Sequence, residues 1–441
     1  MINRLLRSFC RSGNLLCMRV SVESSAAHIQ QSTGLEHTME NKQVCDASNT
    51  LNYSQDPSGA SNFLYNKTTL AMRIVVMPLI LAIGLLGNLA FLFVVTRVRS
   101  MRTVTNMYLT NLAVADISFL LLSIGNRLLQ YLLSPIPGDQ AYMGLPGCSL
   151  VYFLQHVSNW TSIFIITLVS MEKYYAVCYP LKHILLHSFP RTKKLIISAW
   201  SVGVVLSAAM IPAHYNMYYY CIVWPVEIGT FSDFPDVIGV CAGIPGNLWL
   251  GNFSNFFQTI PFVCTFLFNG FAYTQIIRRL KQRSRDDSLS KEVMSKNTRV
   301  RNQVSIMLIA NGVAFFICLA PFQLLCLSVG ILDLTGEVVN FEVFVHIAQI
   351  MLYLNSTLNP YIYNATSSVY RQAFRDAFTG RKSARRRWYL KTRRHGNGTP
   401  SQPRHNKGFS MHKVTSTSPT CNTKCVECAT VSNSTSLHLQ S

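Results

Sequence analysis

Long apolar stretches separated by short polar, basic-rich connections set the pattern of this chain. Seven such stretches lie near residues 72–98, 105–134, 147–179, 194–216, 252–280, 302–331 and 341–364. A bilayer core of about 30 Å is crossed by about 20 helical residues, and each stretch meets that length. Backbone polar groups cannot face lipid unpaired, so segments this long are predicted to be spanning helices. The second, third and seventh carry internal polar residues and are the weaker signals taken alone. The pattern predicts an all-α membrane protein, a seven-transmembrane helix bundle over residues 71–365, with its two termini on opposite sides of the membrane.

The pattern changes on either side of the bundle. After the seventh stretch, Val369, Tyr370, Ala373, Phe374, Ala377 and Phe378 fall on one helical stripe, with Arg371, Arg375 and Arg381 off it. This predicts a short amphipathic helix over residues 366–380, lying on the inner leaflet. Residues 1–70 are polar and irregular, and the segment from Met39 reads as flexible. Arg4, Arg7, Arg11 and Arg19 interrupt any signal-peptide core, and Met39 is an alternative start. Residues 381–441, rich in Ser, Thr, Arg and Gly, are predicted to be a disordered tail.

Composition sharpens this picture. Of the 441 residues, 49% are hydrophobic and only 13% charged, against about 25% charged in a soluble domain. The net charge of +20 is gathered in clusters between the apolar runs, with no module of the nucleic-acid-binding kind. Arg97, Arg99 and Arg102 follow the first stretch. Lys182, Arg191, Lys193 and Lys194 follow the third, and Arg278, Arg279, Lys281, Arg283 and Arg285 the fifth. The alternate connections carry acids instead, including Asp139, Glu227, Asp233, Asp236 and Glu337. The positive-inside rule then places the N-terminus outside and the tail in the cytoplasm. On that orientation the sequons at Asn52 (Asn52-Tyr53-Ser54) and Asn66 (Asn66-Lys67-Thr68) are open to glycosylation.

Polar residues inside spans are costly and mark function. Asn88 follows Gly87 in the first span, Asp116 closes Leu112-Ala113-Val114-Ala115-Asp116 in the second, and Asn355, Ser356, Asn359, Pro360 and Tyr363 sit in the seventh. Pro261, Pro321 and Pro360 each remove an amide donor and loosen a helix locally. Several of the 13 cysteines lie inside apolar runs and read as small buried groups. Cys421, Cys425 and Cys428 resemble a metal knuckle but lack a fourth ligand at suitable spacing.

These motifs in this order resemble the rhodopsin-like (class A) G-protein-coupled receptors throughout residues 70–380. To those above are added Cys148 at the head of the third span, Trp200 in the fourth, Cys318-Leu319-Ala320-Pro321 in the sixth and Asn359-Pro360-Tyr361-Ile362-Tyr363 in the seventh. Met171-Glu172-Lys173-Tyr174 aligns with the family's acid-Arg-aromatic triplet, and Cys148 precedes Lys173 by 25 positions, the family's spacing. The resemblance implies an activation set of Glu172, Lys173, Tyr174, Phe315, Leu319, Pro321, Pro360 and Tyr363. It implies an allosteric sodium pocket at Asp116, Ser162, Asn355, Ser356 and Asn359, with a water-filled polar network as the alternative, and no other cofactor. It implies a disulfide from Cys148 to Cys241, which lies 20 residues before Pro261, with Cys221 as the other candidate. Two positions depart from the pattern: Lys173 replaces the triplet's Arg, and Leu319 replaces the usual Trp.

The resemblance also narrows the ligand. The seventh-span position of a retinal-binding Lys is Tyr353, and the third-span position of an amine-pairing Asp is Gln155. Tyr218 to Val223 and Val237 to Cys241 flank a turn-rich stretch and predict a β-hairpin, usual over peptide-receptor pockets. Val151-Tyr152-Phe153-Leu154-Gln155, Met101 to Asn106 and Pro190 to Ile197 are similar to thyrotropin-releasing-hormone receptors and to neuromedin-U-like receptors. Gln155 matches a ligand-contacting Gln there, while the next residue, a Tyr in those receptors, is His156. Gln155, His156 and Tyr353 are therefore expected to bind ligand. The implied partners are an extracellular peptide, a heterotrimeric G protein, arrestin and kinases at the tail, and membrane lipids; the implied location is the plasma membrane.

Other classes fit less well. A lipid or other small-molecule receptor of the same fold remains open. A transporter would show internal repeats and broken helices at midplane, and no repeat relates the two halves. An enzyme needs a catalytic set; His156, His214 and His346 lie near spans without motif spacing, so no enzymatic activity is expected.

Overall fold

The computed structural model describes residues 45–47, 49–214, 216–225, 229–242, 248–289, 296–335 and 342–379. The tail beyond residue 379 and its Cys421, Cys425 and Cys428 lie outside these, as do residues 1–44.

Among the described residues, seven long helices follow a single short turn of helix at Pro57–Ala60, with two more short helices interspersed. Helix α1 is continuous through Lys67–Ala71, Met72–Val76 and Met77–Arg97, and α2 through Val104–Leu120, Leu121–Gly125 and Asn126–Leu133. Then come α3 (Gly144–Cys178), the short α4 (Pro180–Leu186), α5 (Phe189–Ala208), α6 (Leu248–Leu289), α7 (Lys296–Thr335), α8 (Glu342–Thr366) and the short α9 (Ser368–Thr379). Local chemistry sets the starts. The Asn66 side chain accepts from Thr69 N at 2.7 Å at the head of α1, and Thr103 caps α2 by accepting from Asn106 N at 3.2 Å. The Met72–Val76 segment is a wide π turn just before Pro78; widening the turn accommodates a ring that has no N–H to donate.

Helices α1, α2, α3, α6 and α7 are long and apolar enough to cross a membrane. The second and third spans are thus stronger than their polar residues suggested. Helix α5 falls short because it ends at Ala208, well before the expected 216, so that every stretch of spanning length within Phe189–Ala208 takes in Arg191, Lys193 and Lys194. Helix α8 falls short because of residues such as His346, Gln349, Asn355 and Asn359. The outward faces are apolar: Leu86, Ile197, Val205 and Leu267 are each more than 60% exposed, as a lipid-facing surface requires.

The bundle closes as a ring. Helix α3 packs against α2, α5 and α6, α6 against α7, α7 against α8, and α8 back against α1, which also meets α2. Asn88 sews the ring shut, its amide donating to Gly84 O at 3.0 Å and to Ser356 O at 2.9 Å. Gly84 permits that approach, because a Cβ there would lie 2.5 Å from a Leu120 methyl and 2.8 Å from Thr357 Oγ1. On the other side of α3, Trp200 Nε1 donates to Asn111 Oδ1 at 3.2 Å. Helix α9 buries Tyr370, Ala373 and Ala377 against the bundle and leaves Phe378 62% exposed. Burial pushes the Tyr370 phenol up, so it stays protonated and donates to Asn106 Oδ1.

A three-stranded sheet caps one end. Strands β2 (Asn216–Val223) and β3 (Val237–Ala242) form the expected antiparallel hairpin, with Tyr218 opposite Val240 and Cys221 opposite Val237. Its turn region is filled by Trp224, stacked on Phe231 at 5.2 Å and edge-on to Phe234 at 5.4 Å. The segment before α1 corrects the expectation of a flexible stretch. Thr50–Asn52 is strand β1, paired in parallel with β2 so that Thr50 faces Cys221, and a disulfide joins Cys45 to Cys221 across a Cα–Cα distance of 5.8 Å. A β edge and a covalent tie together order residues that lack an apolar period of their own.

Candidate functional site

Below the sheet, Cys148 at the head of α3 is bonded to Cys241 of β3, with Cα atoms 5.6 Å apart. The loop before α3 reinforces the link. Gln140 N donates to Gly239 O at 2.7 Å, Cys241 N donates to Gln140 Oε1 at 2.9 Å, and Asp139 Oδ1 accepts from Gly239 N at 3.0 Å. The hairpin is therefore fixed to α3 by one covalent bond and to the loop before it by three hydrogen bonds. The other candidate, Cys221, is used by Cys45, a pairing that sequence reasoning missed.

About three turns into α3, Gln155 Nε2 donates to Leu122 O at 2.9 Å. Leu122 sits in the wide turn Leu121–Gly125 of α2, where the ordinary helical ladder is interrupted and a carbonyl is left to accept from outside. One face of α3 also carries Tyr152, stacked on His214 at 4.3 Å between ring centres, and His156, 6.0 Å from His214. Tyr152 OH is in turn bonded to Gln140 Nε2 at 2.6 Å. Tyr353 is only 4% exposed on α8, 6.4 Å from Phe119 of α2. Tyr152 and His156 thus share a cluster with His214, Gln155 turns to α2, and Tyr353 packs into the bundle core beside α2. Tyr152 and His214 belong to that cluster, and the one-turn spacing of Tyr152 and His156 was the signal for the former.

Midway down the bundle, Asp116 is fully buried. Its carboxylate accepts from Asn359 Nδ2 at 2.7 Å and from Ser162 Oγ at 3.4 Å, with the Ser356 hydroxyl as a third donor. Among the described residues no cationic side chain pairs with it, and Asn355 Oδ1 is buried without a hydrogen-bond partner. A buried carboxylate with two hydroxyls beside it fits a small hard cation. Nearby, Phe315 and Leu319 of α7 are buried at 2% and 0% exposure, Pro321 and Pro360 lie inside their helices, and Tyr363 packs edge-on to Phe91 at 5.4 Å and against Tyr370 at 5.5 Å.

At the end of the bundle away from the sheet, Lys173 Nζ lies 3.3 Å from Glu172 Oε1 and 2.7 Å from Thr105 Oγ1 on α2. Thr105 Oγ1 lies 3.2 Å from Glu172 Oε2. Glu172 also faces two histidines from the other side: His183 Nε2 at 3.7 Å and His187 Nδ1 at 3.5 Å. Burial holds the His187 imidazole below its usual value, against the pull of Glu172. Neither histidine stood out among the candidates, although their spacing of four was visible in the sequence. Tyr174 turns away, with its ring 5.6 Å from Tyr179 and 6.0 Å from Phe271 of α6.

The glycosylation candidates lie at the sheet end. Asn52 closes β1 and is exposed, with Oδ1 accepting from Ser54 N at 2.9 Å. Asn66 is the half-buried cap of α1.

With this geometry in place, comparison with known proteins adds ancestry. Residues 87–363 match the sequence family described as "7 transmembrane receptor (rhodopsin family)". The chain is 29% identical over 328 residues to the thyrotropin-releasing hormone receptor of Bos taurus, covering 69% of this chain and 77% of that one. It is 28% identical over 362 residues to the Homo sapiens receptor of the same name, covering 76% and 83%. It is also 28% identical over 318 residues to neuromedin-U receptor 2 of Mus musculus, covering 68% and 74%.

Proposed function

The chain belongs to the rhodopsin family of seven-transmembrane receptors, multi-pass membrane proteins that are receptors rather than enzymes, and from that premise we propose that it senses an extracellular peptide and signals through heterotrimeric G proteins. The observation that carries the peptide reading is the cap. A hairpin tied by Cys148–Cys241 and again by Cys45–Cys221 is a rigid rim above the cluster of Tyr152, His156 and His214, with Gln155 beside it on α3. Such a rim offers strand edges and aromatic walls to an extended ligand. The relatives named for thyrotropin-releasing hormone and neuromedin-U support the same reading.

On this reading the sheet faces outward. Two disulfides belong to an oxidising exterior, and the basic connections lie at the opposite end. The N-terminus is then extracellular, with Asn52 and Asn66 glycosylated, and the tail is cytoplasmic. Gln155, His156 and Tyr353 contact the ligand directly or shape its pocket. Asp116, Ser162, Asn355, Ser356 and Asn359 hold a sodium ion in the resting state. Glu172 and Lys173 form the switch, with Tyr174, Phe315, Leu319, Pro321, Pro360 and Tyr363 conveying the change between states. Serines and threonines of the tail are sites for receptor kinases and, once phosphorylated, for arrestin.

The test is a peptide-library screen on cells expressing the full chain, reading calcium and cyclic AMP together. A peptide that evokes a response absent from untransfected cells supports the proposal. A response confined to lipids or amines, with the peptides silent, overturns the ligand class.

A further inference from the structure

Where α3 meets the short α4, Glu172, His183 and His187 converge on one point. Their ligand atoms all lie within 4.8 Å of one another. Glu172 Oε1 is 3.7 Å from His183 Nε2 and 3.5 Å from His187 Nδ1, and the two imidazoles stand 4.6 Å apart between ring centres. The His183 Nε2 atom is buried and makes no hydrogen bond. The three side chains line a cleft whose other walls include Tyr108, Tyr175 and Arg191.

We propose that Glu172, His183 and His187 form a binding site for a zinc-like divalent transition-metal ion. The spacing fits. Zinc bound tetrahedrally at about 2.0–2.1 Å from each ligand separates those ligands by about 3.4 Å, close to the 3.5 and 3.7 Å measured from Glu172. The donor set fits as well: two imidazoles and one carboxylate leave a fourth position for water, and imidazole nitrogens select zinc over magnesium or calcium. His183 lies in the last turn of α4 and His187, four residues on, is the residue that caps its end, so one helix end supplies two ligands.

The site has a competitor. Lys173 Nζ also faces Glu172 Oε1, at 3.3 Å, and Arg191 stands at the cleft wall. An ion between Glu172 and the histidines takes over the carboxylate that Lys173 now shares. Lys173 keeps Thr105 Oγ1 as its partner at 2.7 Å. Metal binding therefore ties the loop carrying α4 to the end of α3 and loosens the Glu172–Lys173 pair.

Zinc binding is measured on the purified full-length chain in detergent by competition with a chromophoric chelator, with no agonist or G protein present. The result then stands apart from the receptor reading. His183→Ala and His187→Ala should each weaken one zinc ion at least tenfold relative to the unchanged chain. Lys173→Met, which removes the competing ammonium, should tighten it severalfold. Thermal melts in excess chelator check that the variants remain folded, and added zinc should raise the Tm of the unchanged chain but not that of His187→Ala. His187 is partly exposed, so His187→Gln is a second, milder removal. Zinc affinity and stoichiometry that are the same in the unchanged chain and in folded His183→Ala and His187→Ala would overturn the site.

Discussion

Lys173 gives its shortest hydrogen bond to Thr105 of α2, at 2.7 Å, and a longer one to Glu172 beside it, at 3.3 Å. The threonine hydroxyl accepts from the ammonium and can donate to the carboxylate, 3.2 Å away. Lysine, threonine and glutamate thus form a short polar chain between α2 and α3. An ammonium is a compact point charge, so it satisfies this chain without the planar two-pronged contact that a guanidinium makes.

That difference predicts weaker coupling to the G protein than an arginine would give. Lys173→Arg should raise agonist-stimulated nucleotide exchange at matched surface expression, and Glu172→Gln should change it less. Both follow from a two-state balance, since what matters is the contact made in the signalling state but not in the resting one. Unchanged basal and maximal exchange in Lys173→Arg would mean that the ammonium serves equally well and that other helices carry the docking.

The two disulfides predict a specific digest. Mass spectrometry of non-reduced, alkylated protein should find the 148–241 and 45–221 peptides and no 148–221 peptide. Cys45→Ser should lower stability by about 2–4 kcal/mol, the usual range for loss of a native cross-link, read as a lower Tm of detergent-purified chain. A peptide agonist should also lose potency, because β1 is no longer held to β2. A Tm equal to that of the unchanged chain would show that the Cys45 tie carries no load.

What the sequence revealed follows from where the physics is local. The spans, the hairpin and the α9 stripe were legible because burial repeats every two or about 3.6 residues. Strand β1 was not, because Thr50-Leu51-Asn52 is too short for a period and its partner lies some 170 residues away, opposite Cys221. The Cys45–Cys221 link failed for the same reason: Cys45 sits among polar residues, and its separation of 176 positions carries no spacing rule. The convergence of His183 and His187 on Glu172 was half legible. Their spacing was visible, but the turn that brings α4 back beside the end of α3 is tertiary. Gln155 was picked out as a ligand contact, while its bond to Leu122 depends on a wide turn in α2 that no residue in that stretch announces.

That bond gives Gln155 two roles to separate. If its amide both latches α2 to α3 and meets the ligand, Gln155→Leu leaves Leu122 O without its donor, a loss of about 1–3 kcal/mol, and should weaken a peptide agonist about tenfold or more. Gln155→Glu keeps the length but removes the donor, and should weaken binding comparably. Normal potency in both variants at normal surface expression would count against Gln155 as part of the pocket.

Asn52 and Asn66 give the topology its simplest check. Treatment of surface-expressed chain with an N-glycosidase should increase its electrophoretic mobility, and Asn52→Gln with Asn66→Gln together should abolish the shift. Asn52 is exposed at the end of β1, so its single substitution should remove glycan with little effect on folding. Absence of any shift, with a tail epitope detected on intact cells, would reverse the orientation.

Gly312 of α7 lies directly against a side chain of α6. A Cβ there would stand 1.7 Å from the Tyr273 hydroxyl and 2.5 Å from its ring carbon Cζ. Tyr273 is itself committed: it reaches from α6 to α3, where its oxygen lies 2.7 Å from Ser170 Oγ. Gly312→Ala must therefore either push the phenol off Ser170 or part α7 from α6. The first leaves a buried hydroxyl unpaired and the second opens packing, and each costs about 1–3 kcal/mol. Gly312→Ala should lower the Tm of the purified chain. Tyr273→Ala removes the ring that the new methyl meets, so adding Gly312→Ala to it should cost nothing further. That non-additivity is the signature of direct contact between two sites. If the two substitutions instead lower Tm additively, the contact between Gly312 and Tyr273 is not what limits the crossing of α6 and α7.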